Sequence, residues 1–560
     1  MLRIVTVIAI IAVSSSLTGA DILREEWAVV EDGQEHLKDV IQDSITDSYG
    51  NTYVTGSVDG VTGGPATLST AKYDNEGVKL WENLYHMDYD DLDIGLAIAI
   101  DNESNVFVTG IHSDTPNPVG HDDDTDLFTI KYDAAGRIEW REVYNGSLDV
   151  FDMGRDIAVD SEGNVLVTGV CNRGTGLSNV LTIKYDNNGT VLWEDIYSGT
   201  TITSVNSGYF VLCDTSCNVY VVALTSLSGT NFALLVRKFD PAGTELWLEE
   251  YDPELDMWQN YLDATIDDIG NTYILLNLSD VGNYSPTVLK YCPTGGAPIW
   301  IWNGFDNLAS GEYEQGETIS LSDNGLFIAG YFKRAAFAYT DIKVTKLDTD
   351  DGSEDWATLY NGPENRSDRP HAIHADNEGN VYIGGRANSA EELPFDEDDA
   401  VLIRMDSYTG GILASAIFDN NNLWDAFGNV GVDDAGEIYA TGGTTTQYSN
   451  GQDRLIVKYV NTEMGDLFIS NEPALFTLSP VHPNPTSGYA NIDFALTHTE
   501  NVTLEIYDIN GRCVATPVDG EMHEGIHSVS IDASSLPAGV YFYSFSAQGE
   551  NCVRKMIVLE

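Results

Sequence analysis

A chain of 560 residues with 42% hydrophobic content is long enough for two or more domains and can fill sizeable cores, which excludes a disordered chain. Its 88 acidic residues against 27 basic ones give a formal net charge of -61, spread along the chain instead of gathered in a tail. Such a field repels nucleic acid and anionic membrane surfaces, excludes a nucleic-acid partner, and suits solubility in an extracellular or salty medium.

The opening stretch "MLRIVTVIAIIAVSSSLTGAD" has Arg3, an apolar run from Ile4 to Val13 and small residues up to Ala20. This is the pattern of a cleavable secretory signal over residues 1–20. No later stretch approaches the ~20 continuous apolar residues that span a bilayer, so no transmembrane segment is expected. "REEWAVVE", with Trp27, follows as a strand that precedes any repeat.

From residue 47 a turn and a short strand recur: "DSYGNTYVTG" (47–56), "DNESNVFVTG" (101–110), "DSEGNVLVTG" (160–169), "DTSCNVYVVA" (214–223), "DDIGNTYILL" (267–276), "SDNGLFIAG" (322–330), "DNEGNVYIGG" (376–385) and "DDAGEIYATG" (433–442). The eight copies stand at intervals of about 53 to 59 residues, the period of propeller blades. Each unit reads as four short strands, like "DIAVD", "NVLVTG", "VLTIKYD" and "VLWEDIY", with alternating apolar residues and Asp/Asn/Gly turns between them. The expected fold class is therefore all-β: an eight-bladed β-propeller over 21–470, a linker over 471–482 and a small β-sandwich over 483–560.

The fourth strands carry Trp81, Trp140, Trp193, Trp247, Trp300 and Trp356, whereas the eighth unit ends "RLIVKYVNTEMGDLF" without one. Trp27 is expected to supply the missing outer strand and so to remove an exposed sheet edge. The stretch from "GRDIAVDSEGNVLVTG" to "LTIKYDNNGTVLW" resembles the bacterial SBBP-type β-propeller repeat family, over roughly residues 22–468. The match weakens at Val222-Ala223 and Leu275-Leu276 and in the eighth unit.

The closing hairpin "IKYDNNGTVLWEDIY" (183–197) invites functional readings that its residues do not support. Quinone-cofactor dehydrogenases with eight blades use an adjacent cysteine pair, and no Cys-Cys occurs here. Sialidase-type aspartate boxes place one residue between Asp and Gly, whereas two separate Asp186 from Gly189. The motif reads as structural: Asp starts the turn, Gly takes a positive φ, and Trp packs between neighbouring blades.

In antiparallel blades the short Asp-Gly turns share one face, and the long, dissimilar loops share the other, where binding is expected. Several of those loops are acidic: Asp88, Asp90, Asp91 and Asp93; Asp122, Asp123, Asp124 and Asp126; and Asp396, Glu397, Asp398 and Asp399. Calcium is the one cofactor they suggest, with Asp122, Asp123, Asp124 and Asp126 as the metal candidates and solvated loop charge as the alternative. His36, His86, His112 and His121 lie in or near these loops. His371 and His374 lie in a predicted inner strand, where alternation lets one of them face the channel. No catalytic set can be singled out. Cys213 with Cys217, and Cys513 with Cys552, are the pairs that could close as disulfides in an oxidising compartment.

After Phe468 the rhythm breaks at "ISNEPALFTLSPVHPNPTSG", and about 80 residues of short strands suggest an immunoglobulin-like sandwich. Pro483, Asn484 and Pro485, "LEIYDINGR" with Tyr507, Asp508 and Gly511, "DASSLPAGVYFY" with Gly539 and Tyr541, and "KMIVL" after Lys555 resemble the type A sorting domain of the type IX secretion system, over about residues 478–560. The resemblance implies export across an outer membrane, a translocon and processing protease as partners, and a secreted or surface-attached product. The expected function is non-catalytic binding or adhesion at a carbohydrate or protein ligand. The alternative is a secreted polysaccharide- or protein-degrading hydrolase or lyase acting at the channel mouth.

Overall fold

The computed structural model describes residues 21–558 except 32–37, 60–65, 86–91, 114–124, 147–150, 173–176, 200–204, 229–230, 254–255, 281–282, 305–311, 334–338, 364–365, 390–397, 421–423, 446–451, 464–475, 479–480, 482–485, 487, 497, 509–511, 524, 538 and 548–549. The signal stretch 1–20 lies outside these residues. Two compact units are present, one built from Val29–Ile412 and Asp419–Lys458, the other chiefly from Tyr459–Glu560.

In the first unit each repeat folds as one four-stranded antiparallel sheet with its strands in chain order. The first sheet is Asp39–Thr46, Thr52–Asp59, Ala66–Tyr73 and Lys79–Tyr85. The third is Asp152–Val159, Val165–Asn172, Ser178–Tyr185 and Val191–Tyr197. Eight such sheets occur among the described residues, and the eighth breaks the pattern: Asp425–Val432, Ile438–Thr445 and Gln452–Glu463 are followed in sheet order by the N-terminal strand Asp21–Glu31. Trp27 thus sits on the strand that takes the fourth place in this sheet.

Both recurring turns are built by an aspartate. Asp160 Oδ1 accepts from Glu162 N and Asn164 N at 3.0 and 2.9 Å, and Asp186 Oδ1 accepts from Asn188 N and Thr190 N at 2.8 Å. The side chain thereby does what a further backbone turn would do. The Gly of "VTG" has a different cause. A β-bulge between Gly154 and Asp156 presses the first strand against the second, and a Cβ on Gly169 would lie 1.9 Å from Met153 O. In the fifth sheet the irregularity widens to run from Trp258 to Asp263, and Leu276 replaces the glycine there.

Burial falls from the inside of each sheet to its edge. Val165–Asn172 and Ser178–Tyr185 are covered on both faces, whereas Val191–Tyr197 alternates between half-buried and exposed. Coverage of both faces requires a sheet to stand between two others. The first strand of each sheet touches the first strand of the next, and that of the eighth touches that of the first. At this last junction Ser44 Oγ meets Thr441 Oγ1 at 2.6 Å, and Asn429 Nδ2 donates to Ser44 O at 2.6 Å.

The second unit contains a three-stranded sheet of Phe476–Leu478, Tyr489–Leu496 and Gly525–Asp532. A four-stranded sheet orders Cys513–Met522, Glu500–Asp508, Gly539–Ala547 and Glu550–Val558. Their alternating apolar residues share one core, with Phe494 and Phe545 ring centroids 4.4 Å apart.

The cysteines depart from expectation. Cys213 and Cys217 are free thiols: Cys213 Sγ faces Val159 O, and Cys217 Sγ lies 3.2 Å from Ser161 Oγ, both in the preceding sheet. Cys217 occupies the positive-φ place of the Asp214 turn, at φ 59, and both thiols turn away toward that sheet. Cys513 is likewise free, and the side chain of Cys552 lies outside the described residues.

Candidate functional site

The tryptophans converge on one kind of partner. Trp81, Trp140, Trp193, Trp247, Trp300 and Trp356 donate from Nε1 to Ala134 O, Asn187 O, Pro241 O, Pro293 O, Thr349 O and Ser407 O, each in the third-to-fourth-strand turn of the next sheet. The lysine of the same motif reaches the same turn. Asn187 O also accepts from Lys131 Nζ, Pro293 O from Lys238 Nζ and Thr349 O from Lys290 Nζ, at 3.4, 3.1 and 2.7 Å. Lys458 of the eighth sheet reaches Asn75 O of the first in the same way, at 3.2 Å.

A cavity of about 250 Å³ opens between the third and fourth sheets, at the end where the long loops attach. Phe151, Tyr209 and Phe232 give it aromatic walls, Asn172, Ser178 and Ser207 give it polar groups, and Arg155 gives it a cation. The bulge that forces the glycine also places Arg155, since the residue between Gly154 and Asp156 leaves the ladder. Its guanidinium lies 4.6 Å from the Tyr209 ring centroid, and its Nε is buried without a hydrogen-bond partner. No carboxylate or imidazole is among the lining residues.

The residue after the bulge is an aspartate in the first, third and fifth sheets. Asp43, Asp156 and Asp263 each accept the backbone N–H of the next sheet, from Ile98, Val211 and Ile319 at 2.9, 2.7 and 2.8 Å. Burial raises these carboxyls to about 6, 7 and 6 respectively, against the lowering effect of those N–H groups, and the charges of Asp43 and Asp263 push Asp156 further up. Asp425, at the start of the eighth sheet, is raised to about 8, first by burial and also by the charges of Asp419 and Asp399.

Of the metal candidates, Asp122, Asp123 and Asp124 lie outside the described residues, while Asp126 is buried and stands in register with His112. His112 Nδ1 meets Asp93 Oδ1 at 2.7 Å, deep in the second sheet. Asp88, Asp90, Asp91, Asp396, Glu397, His36, His86 and His121 lie outside the described residues, and Asp398 is ion-paired with Arg386 at 2.7 Å. The two strand histidines part company. His371, at the bulge, is exposed with Nδ1 3.1 Å from Glu317 Oε2, while His374 is tucked against Tyr382 and held below the usual imidazole range by burial. In the second unit Tyr507 donates to Glu505 Oε2 at 2.7 Å and buried Tyr541 donates to Pro537 O at 2.8 Å. Gly539 opens the strand after that Pro537, Asp508 and Lys555 lie in strands, and Pro483, Asn484, Pro485 and Gly511 lie outside the described residues.

Arg155 was not legible from strand alternation, because the bulge resets the alternation. Aligning the eight repeats exposes it as a position outside the ladder: the bulge reads Gln42, Leu96, Arg155, Tyr209, Glu317, His371 and Gly428 across seven of the sheets.

No curated protein matches the chain. Among solved structures, similarity extends to Sqt1 from Chaetomium thermophilum, at 10% identity over 78% of this chain and 100% of that one, with a TM-score of 0.43. It extends also to the β-propeller domain of the Trilobed protease from Pyrococcus furiosus, at 7% identity over 69% and 97%, TM-score 0.36. The polysaccharide lyase Uly1 is similar at 8% identity over 75% and 89%, TM-score 0.37. Residues 480–559 match the secretion system C-terminal sorting domain. The chain therefore ends in a type IX secretion sorting domain, which marks a protein that engages that secretion machinery and is attached to the cell surface or released outside the cell.

Proposed function

We propose that the eight sheets are the blades of a closed SBBP-type propeller, that the C-terminal unit is an immunoglobulin-like sandwich, and that the exported protein is a non-catalytic binding module. The cycle of first-strand contacts supports the closed propeller. The N-terminal strand closes the last blade. Removing residues 22–31 is expected to abolish the single cooperative melt of the first unit, and an unchanged melting profile would sink the closure.

Binding rests on the cavity between the third and fourth sheets: aromatic walls, a cation with an uncommitted donor, and no group of the kind that cleaves glycosidic or peptide bonds. Aromatic faces with a few amide and hydroxyl donors suit an extended glycan, whose ring faces stack on apolar surface while its hydroxyls seek donors. The test is a glycan array on the full chain, followed by product analysis of every bound polymer. Arg155→Ala is expected to weaken binding of the best ligand at least about tenfold, since a charged hydrogen bond and its stack on Tyr209 are both removed. New reducing ends would overturn the non-catalytic reading in favour of a hydrolase or lyase. Unchanged affinity in Arg155→Ala would move the site elsewhere.

A further inference from the structure

Asp399 opens the third strand of the seventh sheet, Asp419 follows its fourth strand, and Asp425 opens the first strand of the eighth. One carboxylate oxygen from each lies within 4.8 Å of the other two. Acidic groups on loops crowd together often enough without a ligand. The informative member is Asp425, which has 0% exposure and an Oδ1 without a hydrogen-bond partner.

The third sheet shows a matching carboxylate with both oxygens in use. At the matching place in the third sheet, Asp152 uses both oxygens: Oδ2 accepts from Gly146 N at 2.5 Å and Oδ1 from Asn172 N at 3.0 Å. Asp425 keeps the first bond, with Asn420 N donating to Oδ2 at 2.8 Å. The second is gone, because the amide that corresponds to Asn172, that of Thr445, donates to Trp424 O at 2.8 Å. The neighbouring Thr444 hydroxyl favours the ionised Asp425 carboxyl, yet it accepts from Asn420 Nδ2 at 3.1 Å, faces Thr445 O at 3.4 Å and makes no hydrogen bond to Oδ1. A carboxylate oxygen has thus been released from its structural duty, kept away from water, and placed beside two further carboxylates. Leaving such an oxygen bare is unfavourable, and a cation would remove that penalty.

We propose that Asp399, Asp419 and Asp425 form a calcium site joining the seventh and eighth sheets. The donors are hard oxygens, which select Ca²⁺ or Mg²⁺ over thiolate- and imidazole-seeking metals. Oxygens that all lie within 4.8 Å of one another can gather round an ion with ligands at about 2.4 Å. Three carboxylates on a strand start, a strand end and another strand start also suit the irregular coordination that Ca²⁺ tolerates.

The experiment is a calorimetric calcium titration of the full chain, stripped with chelator and held at physiological ionic strength, with terbium luminescence as a second readout. Trp424 adjoins Asp425 and can sensitise the terbium. One saturable site is expected in the roughly 10⁻⁴–10⁻³ M range of extracellular calcium modules. Asp425→Asn and Asp419→Asn should each weaken it at least about tenfold, while Asp152→Asn, the same substitution in the third sheet, should leave it unchanged. The proposal is overturned if the wild-type chain shows no saturable site, or if Asp419→Asn and Asp399→Asn bind calcium as the wild type does. These two residues are less buried than Asp425, so the test stands even where Asp425→Asn folds poorly.

Discussion

Trp140→Ala should destabilise the first unit by about 2–3 kcal/mol, less than the roughly 3–5 kcal/mol of a fully buried aromatic, because this ring is partly buried. The indole ring packs 5.8 Å from Tyr185 and 6.4 Å from Phe107, and its N–H donates to Asn187 O at 2.9 Å. Beneath it lies Gly189, at φ 84, where a Cβ would come within 2.8 Å of Trp140 Cδ2. Gly189→Ala therefore carries two penalties, roughly 1–2 kcal/mol for the left-handed backbone and a further amount for displacing the indole. The two substitutions should be less than additive. Without the indole, an alanine at 189 keeps the backbone penalty and loses the clash. Chemical denaturation of both single variants and the double variant measures this coupling. Strict additivity, or a Trp140→Ala variant that unfolds at the wild-type midpoint, would show that the tryptophan does not fasten one sheet to the next.

Asp156→Asn should invert its effect on stability with pH. The folded carboxyl is held at about 7 against an ordinary value of 3.8, so between those values the native state binds a proton that the unfolded state has released. Stability is then fully present below about pH 4 and declines as pH rises toward 7, by roughly 4 kcal/mol for a three-unit shift. Asp43 and Asp263, the charged groups that act on Asp156, have raised values themselves and add to the same decline. At pH 5 the amide variant is expected to be less stable by about 1 kcal/mol, having given up one of two acceptor oxygens, those for Ile157 N and Val211 N. At pH 8 it should be the more stable protein, since it carries no buried charge. Asn429 holds the corresponding place in the eighth sheet, with Oδ1 accepting from Val430 N at 2.8 Å, so the repeat already tolerates an amide there. Melting temperatures of both proteins from pH 5 to pH 8 should cross. Parallel curves would mean that Asp156 does not titrate in this window.

Much of the fold can be read from the chain because its turns are local. An aspartate that caps its own turn, a glycine at positive φ and an apolar alternation act within a few residues, and they recur at each unit. The partner of each tryptophan was not legible, since Trp140 and Asn187 are joined only when two sheets pack. The bulge hid Arg155, and the pairing of Cys213 with Cys217 failed on the backbone conformation at Cys217, which spacing does not report. The acidic loops drew attention to Asp396–Asp399, whereas Asp399 gathers with Asp419 and Asp425, on separate strands, only through the packing of the seventh sheet on the eighth.

The fastening of each sheet to the next has a direction. The first six sheets each offer a tryptophan forward, three of them with a lysine beside it, and each finds a turn of the next sheet, so the two sides of such a sheet are different surfaces and its junctions are of head-to-tail kind. Units that meet in this way are interchangeable parts. A repeat lifted whole from one place and inserted at another brings a matching plug and socket, so gene duplication can lengthen or reorder such a chain without inventing a new interface. The tryptophan and lysine bonds leave the loop end out, and the loops there are free to diverge.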